Sequence, residues 1–424
     1  MEQKKRSLSL KGDKVIWMIF LILCIISILE VFSASSILTY RTGDYLSPVM
    51  KHAGLMLVGV FMALVTMRIP CKYFQTFTLL LLVLSFVLLI VALLVSSGTN
   101  GANRWLNLGG INFQPSEMAK GALVLAVAQI LSFRDKNEFF KYKAFKYILI
   151  VSALIIGPIF VENFSTAALL AIVVFLMMII GKIPWQQLMK IVALGVIVVG
   201  AFLAFVFMAP EEEKDAVNEN ETEIVAQAVP AEKVKEERGF FDKLLHRAPT
   251  WKNRIVSFMD QDDIKPEDVD LDADAQWAHS NIAIASSDFI GKGPGNSTER
   301  DFLPQAFSDF IFAIIVEEWG FLGAIVVCFL YIFLLFRTAS IASKCANSFP
   351  ALLIMGIALL IVVQAMFNML VSVGAVPVTG QPLPLISKGG TSSIINCIYI
   401  GVIQSVSISA KKKNSEENAS LAEA

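Results

Sequence analysis

The chain has 424 residues, of which 56% are hydrophobic and only 17% charged, with a formal net charge of −1. That much apolar surface cannot be hidden by a soluble domain, so the composition excludes one and points to a polytopic membrane protein. The near-neutral charge says nothing in favour of nucleic acid, and no nucleic-acid partner is expected.

A membrane β-barrel would show dyad alternation in segments of about ten residues. Here the apolar runs are continuous and roughly twice as long. The fold class is therefore an all-α polytopic membrane protein with about ten transmembrane helices. The start, MEQKKRSLSLKGDK, is basic and runs into a span longer than a signal-peptide core, without a small-residue cleavage site, so it reads as a retained first helix. The apolar spans are 14–36, 49–68, 75–96, 116–133, 146–160, 166–181, 187–209, 306–336, 349–374 and 391–410. The fifth and sixth are short and meet at VENFST, 161–166, as a hairpin with a polar tip.

Lys and Arg set the orientation. Lys4, Lys5, Arg6, Lys11 and Lys14 precede span one. Arg68 and Lys72, then Arg134 to Lys146, Lys182 and Lys190, Arg337 and Lys344, and Lys411 to Lys413 follow alternate spans on the same side. The opposite short loops hold only Arg41, Lys51, Arg104 and Lys388. Both termini are thus expected in the cytoplasm. The organisation is a tail and helices one to seven (1–209), a large extracytoplasmic loop (210–305) with an acidic low-complexity insert (211–237), helices eight to ten (306–410), and a cytoplasmic tail (411–424). Within the loop, GFFDKLLHRAPTWKNRIVSFM could form an amphipathic surface helix or an ordinary solvated one. None of Cys24, Cys71, Cys328, Cys345 and Cys397 falls on the oxidising side, so no disulfide is expected. No internal repeat is visible, which counts against an inverted-repeat transporter.

Polar groups in spans are costly and are functional candidates by default. Four polar clusters map to the outer side. In GTNGANRWLNLGGINFQPSEMAK, glycines and asparagines allow a turn-rich loop, and Pro115 suits a helix start with Glu117 in its first turn. Glu117 and Lys120 share a helical face. For Glu117 a capped helix with a surface ion pair is the bland alternative. The second cluster is the hairpin tip with Glu162 and Asn163, which could also be a plain interfacial turn. The third, GKGPGNSTERDFLPQAFSDF, has backbone amides suited to phosphate, with Lys292 and Arg300 adding charge, and Asp309 in the first turn or two of a membrane helix. The fourth, PVTGQPLPLISKGGTSS, cannot be regular helix, and irregular backbone at a membrane boundary must be buried or line a wet cavity. Lys388 beside Ser387 is a natural anion contact. Basic groups, amides and a carboxylate at one face of a greasy bundle imply an amphiphilic ligand, with a long apolar tail and an anionic polar head.

NGANRWLNLGGINFQPSEMAK, GKGPGNSTERDFLPQAFSDFIFAIIVEEWGFLG and NMLVSVGAVPVTGQPLPLISKGGTSS, with GDKVIWMIFLILCIISILEVFSASS near the start, resemble the signature blocks of the SEDS (shape, elongation, division and sporulation) family, which includes FtsW, RodA and SpoVE. The likeness runs in order along nearly the whole chain; only 211–237 looks inserted. It implies a peptidoglycan glycosyltransferase that polymerises lipid II beside a class B penicillin-binding protein transpeptidase and other divisome membrane proteins. It implies the bacterial inner membrane, at the septum, with GDKVIW, EVFSASS and GPGNSTERDFLP leaning to the division branch, most like FtsW. It further implies Asp309 as the essential carboxylate, and substrate-binding roles for Glu117, Lys120, Arg104, Gln114, Ser116, Glu162, Lys292, Ser387 and Lys388.

There are departures. The family His-Thr-Asp-Phe is here Phe307-Ser308-Asp309-Phe310, Leu-Pro-Glu is Leu303-Pro304-Gln305, Ile-Ser-Tyr-Gly-Gly is Ile386-Ser387-Lys388-Gly389-Gly390, and a family acid in the hairpin is Asn163, next to Glu162. Asp309 is the expected general base toward a sugar hydroxyl. Lys120, Arg104, Lys292 and Lys388 are the cations for a leaving pyrophosphate. A divalent ion, magnesium or manganese, could share that work, and the sequence identifies no site for one. Glu317 and Glu318, two turns or more deeper, read as contacts that fix helix position. A lipid II flippase or an elongation-type polymerase is the alternative, and a non-catalytic scaffold a third.

Overall fold

The structure, a computed structural model, describes residues 11–34, 47–95, 105–108, 111–136, 138–208, most of 251–259, 275–303 and 306–423. Arg104, Pro304, Gln305 and the acidic insert lie outside the described residues. The helices are α1 (Lys14–Ala34), α2 (Ser47–Thr66), α3 (Cys71–Val95), α4 (Pro115–Lys136), α5 (Glu138–Glu162), α6 (Phe164–Ile180), α7 (Trp185–Met208), α8 (Ala275–Ala285), α9 (Ile311–Ala342), α10 (Ser348–Ser372) and α11 (Thr391–Glu423). Nine of the described helices are long and apolar enough to cross a membrane, and α6, with 17 residues, is the shorter tenth. Such a helix forms because a backbone in hydrocarbon must satisfy its own hydrogen bonds. The described part of the surface-helix segment is helical at 251–259.

Two compact units divide the chain. Residues Met1–Leu188 and Lys265–Ala424 form one, and Met189–Ile264 the other. In the second, the rings of Phe202 and Trp251 lie 5.1 Å apart. In the first, α4, α10 and α11 are the interior helices, about two-thirds or more buried over their apolar windows (67%, 72% and 72%). Around them α1 packs on α9, α2 on α11, α3 and α5 on α4, and α6 on α5 and α10.

The outer helices sort their residues by face. On α1, Met18, Leu21, Ile25, Leu29 and Phe32 are exposed, and Ile16, Phe20, Leu23, Ser27, Glu30 and Ser33 are buried. The three-and-four spacing of each set is the helical period, with the polar residues turned inward, away from lipid. At the Lys14 end, Asp13 caps α1, its Oδ1 accepting from the amides of Val15 (3.0 Å) and Ile16 (3.2 Å). Arg337 of α9 donates to both its oxygens at 3.0 and 2.7 Å, and Gln404 of α11 exchanges two hydrogen bonds with its backbone. Burial opposes the Asp13 charge, but the bonds from Arg337 and Ile16 outweigh it and hold the carboxyl below its usual range. One residue thereby ties α1, α9 and α11 together.

Four local features differ from the sequence reading. Within the stretch read as a turn-rich loop, β1 (Leu106–Leu108) and β2 (Ile111–Phe113) pair as antiparallel strands. Helix α8 lies inside the large loop. The tenth span continues as α11 through the expected tail. Helix α9 begins at Ile311, so Asp309 sits in a turn two residues before the helix and not in its first turns. The cause is lateral hydrogen bonding. The carbonyls of Phe307, Ser308 and Asp309 accept from the Lys388 amide (3.0 Å), Ser387 Oγ (2.5 Å) and Asn368 Nδ2 (2.6 Å), which hold this stretch against the 377–388 loop and α10 as a turn.

Helix α9 also breaks at Gly320, at φ 70° and ψ −169°. A Cβ there would lie 2.5 Å from the Gly291 amide and 2.6 Å from the Asp288 carbonyl. Gly320→Ala is expected to destabilise the protein by at least about 1–3 kcal/mol from backbone strain alone. Thermal unfolding in detergent reads this directly, and an unchanged midpoint would contradict it.

Candidate functional site

Most of the sequence-selected residues gather at one end of the first unit, in three groups. The first is the Asp309 turn against the 377–388 loop. Asp309 is half-buried, and Ser308 Oγ donates to its Oδ1 at 2.9 Å. Ser387 Oγ donates to the Ser308 carbonyl and accepts from the Leu383 amide at 2.7 Å. The Lys388 ammonium stands 4.8 Å from the centre of the Phe307 ring, a cation–π contact in place of a neighbouring histidine. The loop is strained: Leu385, 2% exposed, is at φ 68°. Its flanks are clamped, since Tyr331 donates to the Pro384 carbonyl and Ser27 Oγ to the Ile386 carbonyl at 2.6 Å.

Burial, then the like charge of Lys51, hold the Lys388 ammonium pKa below its usual 10.5. The folded protein binds this proton less tightly than the unfolded chain. The charge therefore costs stability at neutral pH, and the cost falls as pH rises through the folded pKa. Lys388→Met should match or exceed wild type in thermal stability at pH 7 while losing activity. A lower melting temperature would refute the assignment of that cost.

The second group is the ion pair of α4. Lys120 Nζ lies 2.8 Å from Glu117 Oε1 and donates to Gln364 Oε1 of α10 at 2.7 Å, with Lys120 0% and Glu117 3% exposed. Glu117 Oε2 is buried without a hydrogen-bond partner. Tyr399 donates to the Glu117 carbonyl at 2.7 Å. The pair is thus an interior feature and not the surface ion pair that its place in a first turn allows.

The third group lines a shallow cleft. Gln114, Pro115 and Ser116 from the start of α4, Pro158, Ile159, Glu162 and Asn163 from the α5–α6 hairpin, and Leu89, Ala92 and Leu93 of α3 form its walls. The lining mixes the polar Gln114, Ser116, Glu162 and Asn163 with aliphatic side chains, which suits an amphiphilic ligand. Asn163 caps α6, its Oδ1 accepting from the Thr166 amide at 3.2 Å.

The 377–388 loop joins the groups. Gln364 Nε2 donates to the Pro382 carbonyl at 3.0 Å, and Gln381 Nε2 to Thr166 Oγ1 at 2.6 Å. Asn368 Nδ2 donates to both the Gln381 carbonyl (2.8 Å) and the Asp309 carbonyl. Lys292 stands apart from this network. Glu317 Oε1 holds its ammonium at 2.6 Å, with Ser286 and Thr298 hydroxyls at 3.0 and 2.9 Å. The amides of Gly295, Ser297 and Thr298 in its glycine-rich loop are likewise directed at protein carboxylates. Arg104 lies outside the described residues. Among the described residues no group of three or more His, Cys, Asp or Glu is arranged to hold a metal ion.

Gln364, Asn368, Gln381 and His52 escaped the sequence reading. Gln364 and Asn368 are four apart inside an apolar run, the helical spacing of one face, which is a legible signal. His52 of α2 carries a tautomer that the geometry decides. Ser27 Oγ spends its one proton on the Ile386 carbonyl, so His52 Nε2, 2.8 Å away, is the donor to Ser27, and Nδ1 is a buried lone pair.

The sequence model of the FtsW, RodA and SpoVE family, described as cell cycle protein, matches residues 13–217 and 243–412. A probable peptidoglycan glycosyltransferase FtsW of Saccharophagus degradans is 29% identical over 402 residues, 92% of each chain. The peptidoglycan glycosyltransferase MrdB of Escherichia coli K12 is 27% identical over 400 residues, 93% of each. Among solved structures, a chain from a peptidoglycan synthase complex that coordinates polymerization and crosslinking superposes with a TM-score of 0.69 at 20% identity, covering 95% of this chain and 99% of that one. The rod shape determining protein RodA of Thermus thermophilus gives 0.61 at 20%, covering 95% and 98%. At that identity the structural likeness establishes the fold.

Proposed function

The chain belongs to the FtsW, RodA and SpoVE family, and from that premise we propose that it is a peptidoglycan glycosyltransferase that polymerises lipid II at the outer face of the bacterial cytoplasmic membrane. The observation that carries this reading is the Asp309 turn, clamped against Ser387 and Lys388 at the end of an apolar bundle. A carboxylate and a cation there face what a membrane-anchored substrate would present.

The chemistry is inverting glycosyl transfer. The acceptor is the GlcNAc 4-hydroxyl of one lipid II, and the donor is the sugar carbon bearing polyprenyl pyrophosphate on the growing strand. As the hydroxyl oxygen attacks that carbon, its proton passes to the Asp309 carboxylate. The carbon–oxygen bond to pyrophosphate breaks, and the electron pair leaves with the phosphate. General-base help of this kind contributes about 10²–10⁴-fold. Lys388 takes up the developing phosphate charge. The buried Glu117–Lys120 pair holds α4 and α10 in register beneath the loop, and the cleft at Gln114, Ser116 and Glu162 receives the lipid-proximal part of a substrate. A divalent ion, if the reaction uses one, would supply Lewis-acid stabilisation to the substrate phosphates.

Septal work, with a class B penicillin-binding protein and other divisome membrane proteins as partners, is the branch we favour. The GDKVIW, EVFSASS and GPGNSTERDFLP segments support it. The solved synthase complex of similar fold supports the pairing with a cross-linking enzyme. Labelled lipid II incubated with the purified protein, with and without its cognate penicillin-binding protein, tests the activity. Glycan polymer is expected. Its absence under every partner condition, with lipid II translocation in vesicles, would replace the reading by a flippase. Depletion in cells separates the branches: filaments without septa support division, and rounded cells support elongation.

A further inference from the structure

Glu317 and Glu318 project from α9 just before its break at Gly320, and both are buried (0% and 1%). Their partners all lie outside α9. Glu317 Oε1 accepts from Lys292 Nζ (2.6 Å), the Thr298 amide (3.0 Å) and Thr298 Oγ1 (2.8 Å). Its Oε2 accepts from Ser297 Oγ and the Glu299 amide (3.4 Å). Glu318 accepts from the amides of Gly295 (3.0 Å) and Ser297 (3.4 Å), and from Ser33 Oγ of α1. The main chain joins in: the Lys292 and Gly293 amides donate to the Glu317 and Glu318 carbonyls at 3.0 and 2.8 Å, and Leu322 to the Phe289 carbonyl at 3.3 Å. Gly291, Gly293 and Gly295 all have positive φ, and the amides of Gly295, Ser297, Thr298 and Glu299 reach the two carboxylates. The glycine-rich loop is thus an anion nest whose anions are the protein's own two carboxylates. Arg300 completes it with bonds to Ser33 Oγ (3.2 Å) and the Gly295 carbonyl (2.7 Å), and Trp319 Nε1 donates to Glu30 of α1 at 2.5 Å.

From this nest a short path leads to the Asp309 turn. The 3₁₀ helix Glu299–Asp301 follows at once, with the Leu303 amide bonded to the Glu299 carbonyl at 2.9 Å and the Ala306 amide to the Leu303 carbonyl at 3.2 Å. Leu303, Ala306 and Phe310 are buried together with Ala34 of α1, Ile314 of α9 and Val371 of α10. Asp309 is therefore held on one side by the 377–388 loop and on the other by a segment whose anchor is Glu317 and Glu318.

We infer that Glu317 and Glu318 are positioning residues for glycosyl transfer: they latch the 289–300 loop to the broken helix and so set the place of Asp309. This rests on the polymerase reading above, and it predicts a turnover effect from residues that touch no reacting atom. Displacing a catalytic group by about 1 Å can cost on the order of 10²-fold.

The test pairs kinetics with hydrogen–deuterium exchange on the full-length protein in detergent. Glu317→Ala should lower kcat of lipid II polymerisation by on the order of 10²-fold with little change in KM, and should speed amide exchange across 291–303. Glu317→Gln keeps the shape and one acceptor oxygen. It should retain more kcat and more protection than the alanine variant, and it serves if the alanine variant does not fold. Wild-type kcat in either variant, or exchange at 291–303 unchanged from wild type, overturns the latch. So does a loss confined to melting temperature. A wild-type protein that makes no polymer removes the polymerase reading, and with it the positioning role. Exchange that still rises in Glu317→Ala would then show that the anchor itself stands.

Discussion

Asp309→Asn is expected to lose polymerisation by about 10²–10⁴-fold, the range of general-base assistance, while the protein folds as before. The substitution keeps the side-chain volume and an oxygen for Ser308 Oγ, which lies 2.9 Å from Oδ1. The bonds that shape the turn use backbone carbonyls, including that of Asp309 itself, and Asn preserves them. Activity and melting temperature should therefore separate, with turnover gone and the midpoint within a degree or two of wild type. Retained polymerisation by the purified variant would remove Asp309 from the mechanism. A collapse in stability would make it a structural residue.

The second large effect belongs to Lys120. Its ammonium is fully buried against Glu117 and Gln364. Lys120→Met would leave the Glu117 carboxylate buried with one oxygen already lacking a partner and the other newly so. Removing one member of a buried pair costs about 3–5 kcal/mol, because the remaining charge is neither solvated nor compensated. Most of that loss should return in the double variant Glu117→Gln/Lys120→Met, where no charge is left behind. A double-mutant cycle by thermal or denaturant unfolding measures both. Equal losses in the single and double variants would mean that the pair contributes packing alone. If the double variant regains stability but not turnover, the pair has a role in the reaction beyond holding α4 to α10.

The sequence alone determined the class of molecule and the order of its parts. Continuous apolar runs of membrane length leave the backbone no alternative to helix, so the spans and their order were legible, while their bounds were so only in part: α10, expected at 349–374, is Ser348–Ser372, but the fifth span, expected short at 146–160, is Glu138–Glu162. The inward face of α1 was legible too, since Ser27, Glu30 and Ser33 recur at helical spacing among leucines and isoleucines. Even the hairpin had its signal, with Leu-Asn-Leu and Ile-Asn-Phe alternating on either side of Gly109-Gly110, the pattern of a two-residue turn. The family resemblance implied one shared function for Asp309, the Glu117–Lys120 pair and the Ser387–Lys388 loop, which the variants above test.

Tertiary structure decided which partner each polar group takes. Local sequence cannot say that the carbonyls of 307–309 will be claimed by Lys388, Ser387 and Asn368 from 59 to 81 residues away, and so cannot say that α9 will start late and leave Asp309 in a turn. Nor can it say that a glycine-rich loop suited to phosphate will close on Glu317 and Glu318. A donor in a low-dielectric interior takes the nearest acceptor that folding brings to it. Which acceptor that is depends on how helices distant in the chain pack together, and no periodicity or spacing along the chain records it.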